Sequence, residues 1–292
     1  MALFSNIYFL MVLSTVFWAG AFIAGKLSAP FIPPFTLTFL RFSLATLILY
    51  LIFSKQLSSF KPTKKDIPVF LFTGIIGMVG YHVFFFTALR YTTAINTSII
   101  GATNPIITTL LSIIFLKEAI NAKRITGITL SFIGVFLTLT NASFSAVTNL
   151  TFNPGDLLMI VAVLMWATYS VYSKKVMPRY SPLILTFYSF LVCTLFLIPF
   201  VIYERPWYLL DKIPYYSYLA SIYMSIFPTV IGYLVQQMSI KQIGPSRTSI
   251  FINLVPVFSI ILSVIILHET ASLIKIFTAM LIIAGVYITQ KS

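Results

Sequence analysis

Few residues of this chain are equipped for chemistry, and most of those stand inside long apolar stretches. Arg41 is the basic residue in such a setting, and His82 is the group there that titrates near neutral pH. Asn104, Gln236, Gln237 and Asn253 are uncharged polar groups in similar surroundings. Trp18, Tyr81, Trp166, Tyr169 and Tyr233 are aromatic residues with a polar edge. In lipid, a polar group needs a partner on another helix or a ligand, and an ionisable one is costly unless it faces a cavity, a partner or the interface. A set of this kind suits a small solute held by hydrogen bonds, and its Trp and Tyr favour an aromatic or cationic one through stacking and cation–π contact. It does not suit catalysis. The chain has two histidines and six acids: Asp66, Glu118, Asp156, Glu204, Asp211 and Glu269. No His–Asp pair, metal-ligand cluster or serine with a base emerges, so no catalytic residue, metal site or cofactor is expected. Cys193 is the single cysteine, which excludes an internal disulfide and a cysteine metal site.

The elements that must position these residues are membrane spans. Of 292 residues, 59% are hydrophobic and 9% charged, and the mean hydropathy is +0.99. Soluble proteins carry about 25% charged residues, so a soluble enzyme, a disordered chain and a secreted disulfide scaffold are excluded. Ten apolar segments follow one another, at about 7–26, 34–53, 67–89, 94–116, 122–140, 156–174, 182–203, 215–239, 246–267 and 272–289. Their lengths predict helices that cross lipid with their backbone bonds satisfied internally. The linkers carry turn chemistry, as in Asn153-Pro154-Gly155 and Gly244-Pro245-Ser246.

The net charge of +13 does not indicate nucleic acid, because the basic residues are scattered in short clusters between apolar runs. Thirteen lysines and arginines fall on the side of the N-terminus and five on the other, with Arg41 inside a span. The positive-inside bias therefore predicts a multi-pass cell-membrane protein with both termini in the cytoplasm. Its expected partners are the lipid bilayer and a small-molecule substrate.

The second half of the chain echoes the first. At an offset of 148, Trp18-Ala19 meets Trp166-Ala167, and Pro34, Thr38, Phe39, Phe42, Thr46 and Leu49 meet Pro182, Thr186, Phe187, Phe190, Thr194 and Leu197. Further on the offset becomes 151, where Thr97-Ser98 meets Thr248-Ser249, Pro105 meets Pro256 and Glu118 meets Glu269. The halves are predicted at 1–140 and 156–292, joined by a linker at 141–155. Each half has five spans. Five is odd, so the second half enters the membrane inverted. Inverted repeats are a hallmark of transporters that bind substrate near the midplane between the halves. A non-transporting membrane scaffold is the alternative, but it does not require paired prolines and polar groups within spans.

Several motifs resemble the EamA family of the drug/metabolite transporter superfamily. They are Phe17-Trp18-Ala19-Gly20-Ala21-Phe22 with Lys26, then Phe39-Leu40-Arg41-Phe42, then Asn104-Pro105 with Phe115-Leu116-Lys117-Glu118, and Pro256 with Leu267-His268-Glu269. Lys117 and His268 stand where that family often has glycine. The resemblance covers nearly the whole chain. It implies an exporter or exchanger of small metabolites such as amino acids, with ten helices.

Depth and symmetry then select the site. Arg41 lies seven residues after Pro34, roughly 10 Å into its span. Trp18 and Trp166 fall near mid-depth. The expected pocket comprises Trp18, Arg41, Tyr81, His82, Asn104, Trp166, Tyr169, Tyr233, Gln236 and Asn253. Pro105 and Pro256 each remove a backbone hydrogen bond and are the expected hinges. Asp156, after Asn153-Pro154-Gly155, is expected to favour the positive end of its helix. No carboxylate lies at mid-depth, which predicts exchange or facilitated diffusion with at most a modest pH effect through His82.

Overall fold

Prolines and capping side chains set where the helices begin. The computed structural model describes residues 6–28, 30–92, 100–140, 143, 145, 148, 153–208, 210–267 and 273–292. Helix α1 spans Ile7–Ser28 and α2 spans Pro34–Ser58. Helix α3 runs in three joined pieces, Ile67–Phe72, Thr73–Gly80 and Tyr81–Tyr91. Helices α4 to α7 are Asn104–Leu116, Ala122–Thr140, Pro154–Val176 and Pro182–Glu204. Helix α8 is again tripartite, Tyr215–Met224, Ser225–Ile231 and Gly232–Ile243. Helix α9 comprises Pro245–Ser249, Ile250–Leu254 and Val255–Leu267, and α10 is Leu273–Gln290. Among the described residues there is no strand, and nine helices are long and apolar enough to cross a bilayer. The described part of α4 is shorter, at 13 residues.

Local chemistry explains the ends. Pro34, Pro105, Pro154, Pro182 and Pro245 all stand in first turns, where a missing N–H costs nothing. Asn153 and Asp156 form a reciprocal capping box at the start of α6, as expected for Asp156. Its other oxygen accepts from the Thr92 hydroxyl at 2.5 Å. Glu204, at the end of α7, accepts from the backbone N–H groups of Phe35 and Thr36 at 3.1 and 2.7 Å. A carboxylate thus caps the positive end of α2. Helix α4 ends at Lys117, whose φ of 54° and ψ of 36° are left-handed.

The protein is an all-α integral membrane protein of ten helices in two inverted five-helix repeats, and its contacts obey that symmetry. Helix α5 packs on α10 and α2 on α7. Helix α3 packs on α6 as α8 packs on α1, and α4 on α6 as α9 on α1. Exchanging each helix for the one five places away maps these contacts onto themselves. The α5–α10 crossing is close because Gly127 and Gly285 face each other. A Cβ on Gly285 would lie 2.5 Å from the Ser131 nitrogen and 2.6 Å from the Gly127 oxygen.

Large apolar side chains such as Leu51, Ile114, Phe115 and Met280 point outward, as lipid requires. On the side opposite the termini, Tyr203, Trp207, Tyr208 and Tyr215 are exposed around the α7–α8 connection, where amphipathic rings suit a membrane boundary. On the side of the termini, Asp66 ties two loops together. It takes the Arg179 guanidinium at 2.6 Å, the Tyr180 hydroxyl at 2.5 Å and the Thr63 hydroxyl at 2.7 Å. These bonds, the Tyr180 and Thr63 ones foremost, hold the carboxyl down at about 2. Burial, then the carboxylate beside it, push the Tyr180 phenol up to about 12.

Candidate functional site

Helices α2 and α7 cross at mid-length, and residues related by the repeat meet there. The Phe42 and Phe190 rings, 148 residues apart, pack edge-on at 5.0 Å. The hydroxyls of Thr46 and Thr194, at the same offset, lie 3.5 Å apart. His82 and Tyr233 are separated by 151 residues, and the Tyr233 oxygen is 2.9 Å from the His82 Nε2. Three pairs of counterparts thus touch at the centre, and an axis that relates the halves has to pass by these contacts.

The middle pieces of α3 and α8 carry this arrangement. Thr73–Gly80 and Ser225–Ile231 both have π-helical geometry, which widens the turn and shifts the register of the helical piece beyond it. His82 and Tyr233 come directly after these stretches. The His82 Nδ1 lies 2.8 Å from the Met78 carbonyl. A carbonyl only accepts, so Nδ1 carries the hydrogen, and Nε2 shares its hydrogen bond with the Tyr233 hydroxyl. Both nitrogens of His82 are thus engaged.

Arg41 enters from α2 and is buried. Its Nε donates to the Thr229 hydroxyl at 2.5 Å, in the π-helical stretch of α8. Thr229 passes its own proton to the Met224 carbonyl at 2.7 Å. The guanidinium lies within electrostatic reach of Tyr81, His82, Tyr233 and Cys193. Around it the aromatic rings close up: Tyr81 is 4.7 Å from Trp166, and Trp166 is 5.7 Å from Tyr169 and 5.3 Å from Tyr233. Tyr169 receives a bond from the Gln237 amide, which also reaches the Ser173 hydroxyl at 3.3 Å. The Oε1 atoms of Gln236 and Gln237 are buried without a partner among the described residues.

Six of the ten expected pocket residues thus form one cluster: Arg41, Tyr81, His82, Trp166, Tyr169 and Tyr233. Gln236 stands one turn beyond Tyr233. Trp18 occupies the counterpart of the Trp166 position. Where Trp166 packs on Tyr81, Trp18 packs on Gly232, 151 residues further on, and a Cβ there would come within 2.7 Å of its Nε1. The indole donates to the Pro228 carbonyl at 3.1 Å. Asn104 accepts from Thr108 in its own helix at 3.2 Å. Asn253 donates to Ser131 of α5 at 2.8 Å, which ties α9 to α5, and its Oδ1 is left without a partner.

Pro105 and Pro256 each follow an irregular stretch, a turn at 102–103 and the 3-10 segment Ile250–Leu254, and each starts the regular helix beyond it. Glu118 pairs with Arg124 at 2.8 Å. Asn149, His268 and Glu269 lie outside the described residues. Phe42, Phe190 and Thr229 complete the cluster without having been singled out. The 148-residue match of Phe42 with Phe190 was their one signal in the sequence. A lateral groove lined by Phe53, Pro182, Leu234 and Lys241 contains none of these residues.

Two inverted five-helix halves that enclose a buried aromatic and polar centre define the class of membrane transporters. The chain belongs to the EamA-like transporter family, whose pattern it matches over residues 5–140 and 153–290. It is 32% identical to the uncharacterized transporter YyaM of Bacillus subtilis over 96% of this chain and 92% of that protein. It is 26% identical to a probable amino-acid metabolite efflux pump of Salmonella typhimurium, over 96% and 93%. A solved crystal structure shares the fold, with a TM-score of 0.79 at 19% identity over 98% of this chain and 97% of that one. The protein is a membrane transporter and not an enzyme.

Proposed function

We propose that the protein is a secondary transporter, an exporter or exchanger of a small metabolite such as an amino acid, working by alternating access around the Arg41–His82–Tyr233 centre. The observation that carries this reading is the meeting of repeat-related residues along the axis, in a buried cluster that holds a cation, π faces and unpartnered amide oxygens. Inverted repeats exchange conformations about such an axis, so a site lying on it is reached from both sides in turn. The halves at 1–140 and 156–292, joined at 141–155, are the units that rock.

In the present conformation the halves are tied on the side of the termini. The hydroxyls of Thr109 and Ser246 lie 2.7 Å apart. That bond breaks when that side opens. Pro105 and Pro256 act as the hinges of α4 and α9. The absence of a carboxylate from the cluster among the described residues favours exchange down solute gradients over proton coupling.

Counterflow of a labelled metabolite panel in proteoliposomes tests the function. Exchange by the wild type and its loss in Trp166→Ala, with folded yield retained, is the expected result. Trp18→Ala is expected to weaken binding as well. Pro105→Ala and Pro256→Ala are expected to keep binding and to slow flux. Absence of exchange for every solute would refute the transport reading.

A further inference from the structure

We infer that the transported solute carries a carboxylate that docks on Arg41, and that an anion is preferred to the zwitterion or cation of the same body. This rests on the transport reading above and deepens it.

Arg41 is a permanent positive charge, 6% exposed, near the middle of the bundle. Two ion pairs occur among the described residues, Glu118–Arg124 and Asp66–Arg179, and both lie on the side of the termini. Arg41 therefore has no carboxylate partner among the described residues. Among the described residues its one hydrogen bond goes to a hydroxyl whose own proton is already committed to a carbonyl. The groups facing it do not cancel the charge. Helix α2 itself presents the Phe42 ring, 5.9 Å from the guanidinium carbon, α3 presents Tyr81 and His82, and α7 presents Cys193. Helix α8 presents Thr229 and Tyr233. The whole cluster holds one cation and no anion.

A desolvated cation without a counter-ion is expensive, and a carboxylate brought in by the solute supplies what is missing. The guanidinium fork matches a carboxylate in shape as well as charge. The rings of Tyr81, Trp166 and Tyr233 suit an apolar or aromatic body behind that carboxylate. The free oxygens of Gln236 and Gln237 are neutral acceptors, which serve a hydroxyl on the solute. An ammonium would need a carboxylate to offset its desolvation, and the cluster has none. A hydroxy acid thus fits better than the amino acid of the same body, and the amine fits worst.

Two probe series separate these classes at constant body: lactate, alanine and ethylamine, and phenyllactate, phenylalanine and phenethylamine. Binding to the purified full-length protein is read by tryptophan fluorescence and thermal shift, and transport by counterflow in proteoliposomes. The hydroxy acid of at least one series is expected to bind tightest, by about tenfold or more over its amino acid, with the amine weakest. Arg41→Gln is expected to abolish that preference, and Arg41→Lys to restore part of it. The wild-type order decides the matter even if Arg41→Gln does not fold.

A tighter amine or amino acid in both series overturns the inference, as does an unchanged hydroxy-acid affinity in folded Arg41→Gln. Failure of all six probes to bind overturns it too. Binding in the expected order without counterflow refutes transport while leaving the carboxylate assignment in place. Counterflow that favours the amine does the reverse.

Discussion

Lys117 holds the left-handed conformation that glycine adopts without steric cost, and it does so at an exposed helix end. The family's frequent glycine at this position thus has a backbone cause. Lys117→Gly is expected to stabilise the protein by about 1 kcal/mol, seen as a higher melting temperature in detergent. An unchanged or lower value would assign Lys117 a side-chain role. Asp66 makes a second prediction. Its carboxyl sits at about 2 against an ordinary 3.8, so the folded state favours the charged form. That contribution is present above roughly pH 4 and is lost as the pH falls towards about 2. Asp66→Asn removes this component, and its stability is expected to fall less than that of the wild type between those two values. An identical acid profile would show that the Asp66–Tyr180–Arg179 tie does not matter. Arg41, Tyr81, His82, Trp166, Tyr169 and Tyr233 were legible in the sequence because polar and amphipathic groups stand out in apolar spans. Phe42, Phe190 and Thr229 were not, because phenylalanine and threonine are ordinary span residues and 28 phenylalanines hide any particular one.

At the scale of helices, the paired π-helical stretches set the register of the centre. They turn His82 and Tyr233 towards each other at 2.9 Å. Apolar length predicted α3 and α8 as continuous helices, and length does not reveal a widened turn. The same holds for α9, whose middle segment Ile250–Leu254 is tighter than an α-helix. The starts of the helices were more legible, since proline in a first turn and the Asn153–Asp156 box are local signals. The α5–α10 crossing supplies a direct test of packing. Gly285→Leu places side-chain atoms where the Gly127 and Ser131 backbone already lies, and is expected to cost more than about 2 kcal/mol. A loss of monodisperse protein after detergent extraction is the expected readout. Gly25→Ala is the control, because nothing lies within 4 Å of a Cβ there. Equal yields from the two variants would remove the claim that α5 and α10 depend on this close approach.

At the scale of the whole molecule, the distribution of basic residues predicts how the chain lies in its membrane. Single cysteines at Lys64 and Lys175, in a Cys193→Ala background, are expected to react from the cytoplasm. Those at Arg90 and Asn149 are expected to react from outside. Labelling of Lys64 and Asn149 from the same side would contradict the inverted arrangement. The repeat itself was legible in the order of Trp, Pro, Phe and Thr at one spacing, and two of its matched pairs, Phe42–Phe190 and Thr46–Thr194, touch across the axis. What the spacing did not disclose was that counterparts meet each other instead of lying on separate faces. This has a consequence for how such a chain arises. Arg41 corresponds to Ser189, one position before two rings that pack at 5.0 Å. Ser189 donates to Thr73 of the first half as Arg41 donates to Thr229 of the second, so in a pair of separate, identical five-helix chains an arginine would stand on each side of the axis. Two guanidinium groups would then repel each other in an apolar medium. Joining the copies into one polypeptide lets one half carry the charge while the other stays neutral. A lone cation at the heart of a two-fold assembly is available to a fused chain and closed to a homodimer.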